Sequence, residues 1–299
     1  MLDVAVHKGS NCVVGQFRAM ASPCEILLEQ PDLTLCQQLT ELAAAEAKRI
    51  EQKFSRYQSA SILSQLNSNA GSWQQIDTET SLLLAFAESC YQLSDGMFDI
   101  TSGILRQIWQ FDGSDNIATQ QQIDELLPFI GWHKVKLETD RLFLPAGMQL
   151  DLGGIAKEYA VDKVLQLLSS QFNANSLPSM VVNFGGDMCC SRPRSDGSLW
   201  RIGIENPMFA EQAVSAVGLS NGALATSGDS RRFLLKNGQR YSHILNPKTG
   251  WPVSGAPHSI TVAAPNCLLA GMLATTALLQ GADAQAFLQA QGLKYWLVA

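Results

Sequence analysis

Asp151-Leu152-Gly153-Gly154-Ile155-Ala156-Lys157-Glu158-Tyr159-Ala160-Val161-Asp162 joins an apolar segment to an amphipathic helix through two adjacent glycines. Glycine lets the backbone come close to a ligand, the first free N–H groups of a helix favour an anion, and Lys157 places a positive charge within a turn of them. The junction has the makings of a phosphate site. An ordinary strand-to-helix turn with a surface lysine carries the same residues, and a short glycine motif alone does not separate the two.

Working outward, strand-like segments precede the junction at residues 134–137, 141–144 and 149–152, and a helix follows over 159–168. Upstream, Leu35, Leu39, Leu42, Ala43, Ile50 and Phe54 keep helical spacing, which predicts a helix over 32–54 with Asp32 as N-cap. Further helices are expected over 80–94, 104–111 and 119–130, and residues 17–28 read as strand, small-residue turn and strand. Tyr57, on a turn just after the long helix, is placed either to cover a planar ligand or to cap the core. Downstream, a buried strand at 179–184 runs into Gly185-Gly186-Asp187, where an acidic group at a strand end suits a ligand contact and a plain turn equally. Strands are then expected at 201–204, 213–219, 223–226, 232–235, 241–245 and 258–264. Two helices, 267–279 capped by Asn266 and 283–291, precede a last strand at 294–298. No repeat period or low-complexity linker interrupts the chain. The order predicts one α+β unit over residues 1–299, with helices segregated from a mainly antiparallel sheet.

Composition narrows the function. The 299 residues are 46% hydrophobic and 16% charged with a net charge of −6, which suits a globular protein and argues against a nucleic-acid surface. The longest apolar runs, such as residues 82–87, are far too short to span a bilayer. Residues 1–8 lack the basic region and long apolar stretch of a secretory signal. Seven cysteines, an odd number without framework spacing, suit a reducing compartment, and Cys189-Cys190 reads as a strand end rather than a metal site. A cytoplasmic protein that binds neither membrane nor nucleic acid is the expectation.

Read together and in order, seven segments resemble the ApbE family of FAD:protein FMN transferases. They are Met20-Ala21-Ser22-Pro23-Cys24, Phe54-Ser55-Arg56-Tyr57, Phe98-Asp99-Ile100-Thr101-Ser102-Gly103, Asp151-Leu152-Gly153-Gly154-Ile155-Ala156-Lys157, Asn183-Phe184-Gly185-Gly186-Asp187, Ala225-Thr226-Ser227-Gly228-Asp229 and Tyr241-Ser242-His243-Ile244-Leu245-Asn246-Pro247-Lys248-Thr249-Gly250. An eighth, Ala270-Gly271-Met272-Leu273-Ala274-Thr275, matches in part. Members of the family split the pyrophosphate of FAD and attach the FMN half to a Thr or Ser hydroxyl of a target flavoprotein, releasing AMP with the help of Mg²⁺. The resemblance implies a T-fold-like α+β architecture with FAD between the helices and the sheet. It also implies that Met20 and Tyr57 flank the flavin and that Phe98, Asp99 and Ile100 line the cofactor. Asp151, Lys157, Asp187, Ser227, Leu245 and Ala274 would lie at the nucleotide, and His243 would be the base for the acceptor hydroxyl. Phosphoryl transfer is mostly positioning and charge stabilisation, and a histidine suits base work near neutral pH.

The family's metal site joins a backbone carbonyl, here of Gly154, to an Asp and a Thr four apart on one helix. Here the Asp position is Gly271 and the Thr is Thr275. Positions four apart share a helix face, so the geometry survives and the charge does not. A helical glycine costs ~1 kcal/mol relative to alanine, which implies that something approaches Gly271. Glu158 stands where the family more often has Gly and is a candidate to replace the missing charge in part; an Asp introduced at 271 is expected to raise Mg²⁺ affinity. Two alternatives stand beside transfer: an FAD-binding relative with little or no turnover, and a pyrophosphatase that releases FMN and AMP to water.

Overall fold

Along Val13–Ala19 and Ser22–Leu28 the side chains alternate between covered and open faces, so each strand has one face to bury. The two pair antiparallel, from Val13 opposite Leu28 to Ala19 opposite Ser22. The computed structural model describes residues 3–206, 212–229 and 233–298. In it these strands belong to an eight-stranded sheet ordered Ala5–Lys8, Val13–Ala19, Ser22–Leu28, Met180–Phe184, Asp187–Cys190, Gly222–Gly228, Ser259–Ala264 and Tyr295–Val298. Every neighbouring pair is antiparallel.

Among the described residues seven α-helices accompany the sheet: α1 (Leu33–Phe54), α2 (Ile62–Ser68), α3 (Thr78–Leu93), α4 (Gln120–Leu126), α5 (Ala156–Ser169), α6 (Cys267–Leu279) and α7 (Ala284–Gln291). α1 packs on Val13–Ala19, α6 on Gly222–Gly228 and Ser259–Ala264, and α5 lies against both helices. Their shared core includes Ile26, Leu39, Ile50, Val161, Val164, Val182, Ala225, Val262 and Ala274. α6 is apolar on all sides and buried along most of its length, the pattern of a core helix. The caps follow from sequence: Asp32 accepts from the Leu35 N–H at 2.9 Å, Asp77 from Thr80 at 2.8 Å and Asn266 from Leu269 at 2.8 Å, while Thr119 and Gln122 form a capping box. The fold is α+β, as expected. No helix among the described residues is long and apolar enough to cross a membrane.

Several expected elements differ; the strand expected at 134–137, for one, is Lys136–Leu137, with Lys134 closing a 3₁₀ turn. The helix predicted over 119–130 ends at Leu126 and tightens into a 3₁₀ turn, Leu127–Phe129, because Pro128 cannot continue the α-helical ladder. The short helix expected at 104–111 is a 3₁₀ helix, Ile100–Gln107, that starts earlier because Asp99 caps it. The strand expected at 241–245 is Gln239–Ser242, leaving His243 to Leu245 outside it; Arg232, expected to begin another strand, lies outside the described residues. Residues 149–152 form no ladder. Their backbone groups bond elsewhere: Asn67 accepts from the Leu150 N–H at 2.7 Å and donates to its carbonyl at 3.0 Å, and the Asp151 N–H donates to the Ile100 carbonyl at 2.8 Å. A side chain thus takes the place of a partner strand, which no alternation pattern reveals. Asn67→Ala leaves two buried backbone groups unpaired, so urea denaturation is expected to show a loss of about 1–3 kcal/mol.

Candidate functional site

A cavity of about 880 Å³ opens where the Met20–Pro23 turn, the end of α1, residues 98–103, the 151–158 junction, residues 224–228 and His243 to Leu245 converge. It draws on all seven quoted motif segments. A second hollow of about 710 Å³, beside α5 and the start of α6, contains none of the cofactor, metal or catalytic candidates named from sequence.

The wall is built from strained and tightly held pieces. Met20 and Ala21 form a two-residue hairpin turn with φ of 52° and 57°, the left-handed region that side chains seldom adopt. The Met20 N–H donates to Glu51 Oε1 at 2.9 Å, which ties the turn to α1. Such strain persists where surrounding contacts enforce it and is common at ligand sites. Tyr57 is 83% exposed at the rim, so it does not cap the core; the Arg56 guanidinium lies 5.7 Å from its ring centre.

Asp99 lines the cavity, yet both its oxygens are taken by groups of the protein. Oδ1 accepts from the N–H and hydroxyl of Thr101, and Oδ2 from the Trp132 N–H at 3.0 Å. It therefore shapes the wall between Phe98 and Ile100, which also line it. Asp151 accepts from Arg56 Nη1 at 2.8 Å and Arg106 Nε at 3.3 Å, while its Oδ1 accepts from the Gly153 N–H at 2.8 Å. Burial acts to raise the Asp151 carboxyl, but the two guanidiniums outweigh it and hold the group below the ordinary value of 3.8. Gly103 makes this possible: a Cβ there would stand 2.2 Å from the Cβ of Asp151.

At the start of α5 no side chain caps the helix, and Gly153 and Gly154 face the cavity. Lys157 Nζ lies 2.6 Å from Asp187 Oδ2, and Asp187 Oδ1 accepts from the Thr226 N–H at 3.0 Å. Burial would lower the Lys157 ammonium, but Asp187 and Glu158 more than offset it and leave the group raised. Glu158 is 7% exposed, and its Oε2 has no hydrogen-bond partner among the described residues. Burial first, and then Asp187, push its carboxyl up. Its side chain fills the space beside Gly271, where a Cβ would come within 2.5 Å of Glu158 Cγ. The approach expected from a helical glycine is therefore this glutamate. An Asp at 271 would meet the Glu158 side chain, so it could add a ligand only if Glu158 shifted.

His243 and Leu245 reach the wall just after their hairpin, with the His243 ring 6.2 Å from that of Phe111. Ser227 and Thr275 line the cavity as a hydroxyl pair 2.7 Å apart. Ala274 and Gly271 do not line it; both are buried in the body of α6. Arg56, Arg106 and Glu51 were not singled out from sequence. Arg56 sits inside the Phe54–Tyr57 motif and was legible there as a cation beside an aromatic; Arg106 carried no signal. Among the described residues no three His, Cys, Asp or Glu side chains cluster as a metal group.

A model of the ApbE family matches residues 20–297. The FAD:protein FMN transferase of Haemophilus influenzae is 33% identical over 249 residues, spanning 79% of this chain and 70% of that protein. The crystal structure of the ApbE protein of Thermotoga maritima superposes with a TM-score of 0.85 at 28% identity, covering 99% of this chain and 94% of that one. The apo crystal structure of the Pseudomonas stutzeri flavinyl transferase ApbE gives 0.83 at 26% identity, with 98% and 91% covered.

Gly271→Ala forces Glu158 from its place and is expected to cost about 1–3 kcal/mol in thermal denaturation. Asp151 has a depressed folded-state pKa, so its contribution to stability is present above the ordinary carboxylate value and is lost as the pH falls through the folded one. Asp151→Asn is expected to flatten the fall in Tm below about pH 4, measured by calorimetry across an acid series.

Proposed function

The chain belongs to the ApbE family and is a transferase, and from that premise we propose that it moves the FMN moiety of FAD onto a Thr or Ser hydroxyl of a partner flavoprotein, with release of AMP. One observation carries the reading: seven motif segments scattered from residue 20 to residue 250 line a single cavity of about 880 Å³. Tyr57 and Met20 at the rim suit the two faces of a flavin. Lys157, with the uncapped start of α5, suits the pyrophosphate, and Arg56 and Arg106 add positive charge on the same wall.

The step these residues serve is an exchange at phosphorus. The acceptor hydroxyl oxygen forms a new bond to the FMN-side phosphorus, the bond from that phosphorus to the bridging oxygen breaks, and AMP leaves with that oxygen. His243 takes the hydroxyl proton as the bond forms. Lys157 and the α5 N–H groups hold the phosphate oxygens in line.

The oxygen donors on the wall fit Mg²⁺, a hard cation usually held by few protein ligands together with substrate phosphates. Gly154, Glu158 and Thr275 line the cavity, the Thr275 hydroxyl bonded to that of Ser227 at 2.7 Å, and the partnerless, buried Glu158 Oε2 supports a cation there. The chemistry Mg²⁺ supplies when bound is neutralisation of the pyrophosphate charge. The seven cysteines are free thiols, which fits action in a reducing, cytoplasmic setting.

Incubation with FAD, Mg²⁺ and a Thr-containing acceptor peptide is expected to raise the peptide's mass by one FMN and to release AMP. His243→Ala is expected to slow this about 10²–10⁴-fold. AMP without peptide gain turns the reading to a pyrophosphatase, and intact bound FAD turns it to a flavin-binding protein without turnover.

A further inference from the structure

Helix α6 contains no ionisable carboxylate between Cys267 and Leu279, so it brings no charge to the cavity. The facing helix supplies a carboxyl group. Glu158, in the first turn of α5, is more than nine-tenths buried and lines the cavity. Its Oε2 has no hydrogen-bond partner among the described residues; the Asp187 carboxylate and the Lys157 ammonium act on it, and these two pair with each other at 2.6 Å. A carboxylate in that position is costly unless a cation or a donor completes it.

Oxygen donors suited to a hard cation line the same cavity. Gly154 precedes it at the junction, and Thr275 stands one turn beyond Gly271 on the same face of α6. Gly154, Glu158 and Thr275 all line the one cavity. Carbonyl, carboxylate and hydroxyl oxygens are the donors Mg²⁺ prefers. The fit between the helices is mutual. A Cβ at Gly271 would stand 2.5 Å from Cγ, 3.0 Å from Cδ and 3.1 Å from Oε1 of Glu158. Any side chain at 271 therefore displaces the carboxylate, which accounts for a helical glycine that costs ~1 kcal/mol relative to alanine.

We propose that Glu158 is the carboxylate through which this chain binds its divalent cation, reaching from α5 into the space that Gly271 leaves on α6. The two residues form one unit: the charge stands on one helix because the other has no side chain there. The proposal rests on reading the cavity as a site for FAD and Mg²⁺, and it deepens that reading by naming the anionic ligand.

The test is Mn²⁺ binding to the full chain, followed by electron paramagnetic resonance with and without FAD, together with the rise in Tm on adding MgCl₂. Glu158→Gln keeps the shape and removes the charge. It is expected to weaken Mn²⁺ binding by at least ~10-fold, since even outer-shell partners of a metal cost ~10–100-fold when removed, and to abolish the MgCl₂-dependent rise in Tm. Unchanged Mn²⁺ affinity in Glu158→Gln, or a wild-type chain that binds no Mn²⁺ even with FAD, overturns the proposal. The two readings fail separately. Mn²⁺ binding lost on substitution, in a protein that flavinylates no peptide, keeps the cation ligand and removes the transferase. Peptide flavinylation with Mn²⁺ affinity untouched by Glu158→Gln does the opposite.

Discussion

The ion pair between Lys157 and Asp187, 2.6 Å long, holds the site together. Lys157 belongs to the first turn of α5, and Asp187 follows the Gly185-Gly186 turn in the middle of the sheet. Asp187 also accepts from the Thr226 N–H, so one carboxylate fastens the helix start to two neighbouring strands. Removing one partner of such a buried pair commonly costs about 3–5 kcal/mol, because the other charge is left without compensation. Geometry at the junction therefore follows from electrostatics as much as from apolar packing.

A second charge cluster works in parallel. Asp151 gathers Arg56 from the turn after α1 and Arg106 from the 3₁₀ helix, and its own backbone N–H reaches the Ile100 carbonyl. Three segments remote in sequence are thereby drawn to one wall. Arg56, Arg106 and Lys157 line the cavity together with Glu51, Asp99, Asp151, Glu158 and Glu205, so the wall is mixed in charge, with its cations held in place by Asp151 and Asp187.

Glu158 and Gly271 show why a motif compared one position at a time misleads. On α6 alone, glycine in place of an acid looks like the loss of a ligand. Across the two helices, the glutamate's side chain occupies the volume that the glycine vacates, so a carboxyl group stays at the cavity. The strain in the Met20-Ala21 turn has a similar lesson: two ordinary side chains sit in a left-handed turn because pairing of the flanking strands and the Glu51 contact enforce it.

Much of the fold was legible in the chain itself. Periodicity and caps located α1, α3, α6 and the 213–219 strand closely, since those signals are local: an apolar stripe and one side chain accepting from a nearby N–H. Motif order located the family and most residues that line the cavity. What tertiary structure alone decided were the matters that depend on partners distant in sequence. Asn67 replaces a strand neighbour for residues 149–152, Asp99 accepts from the Trp132 N–H, Arg106 joins Asp151, and Glu158 fills the place beside Gly271. A sequence pattern records which faces a segment must bury, whereas the pairing of buried charges and the filling of one residue's missing volume by another arise only when the segments meet.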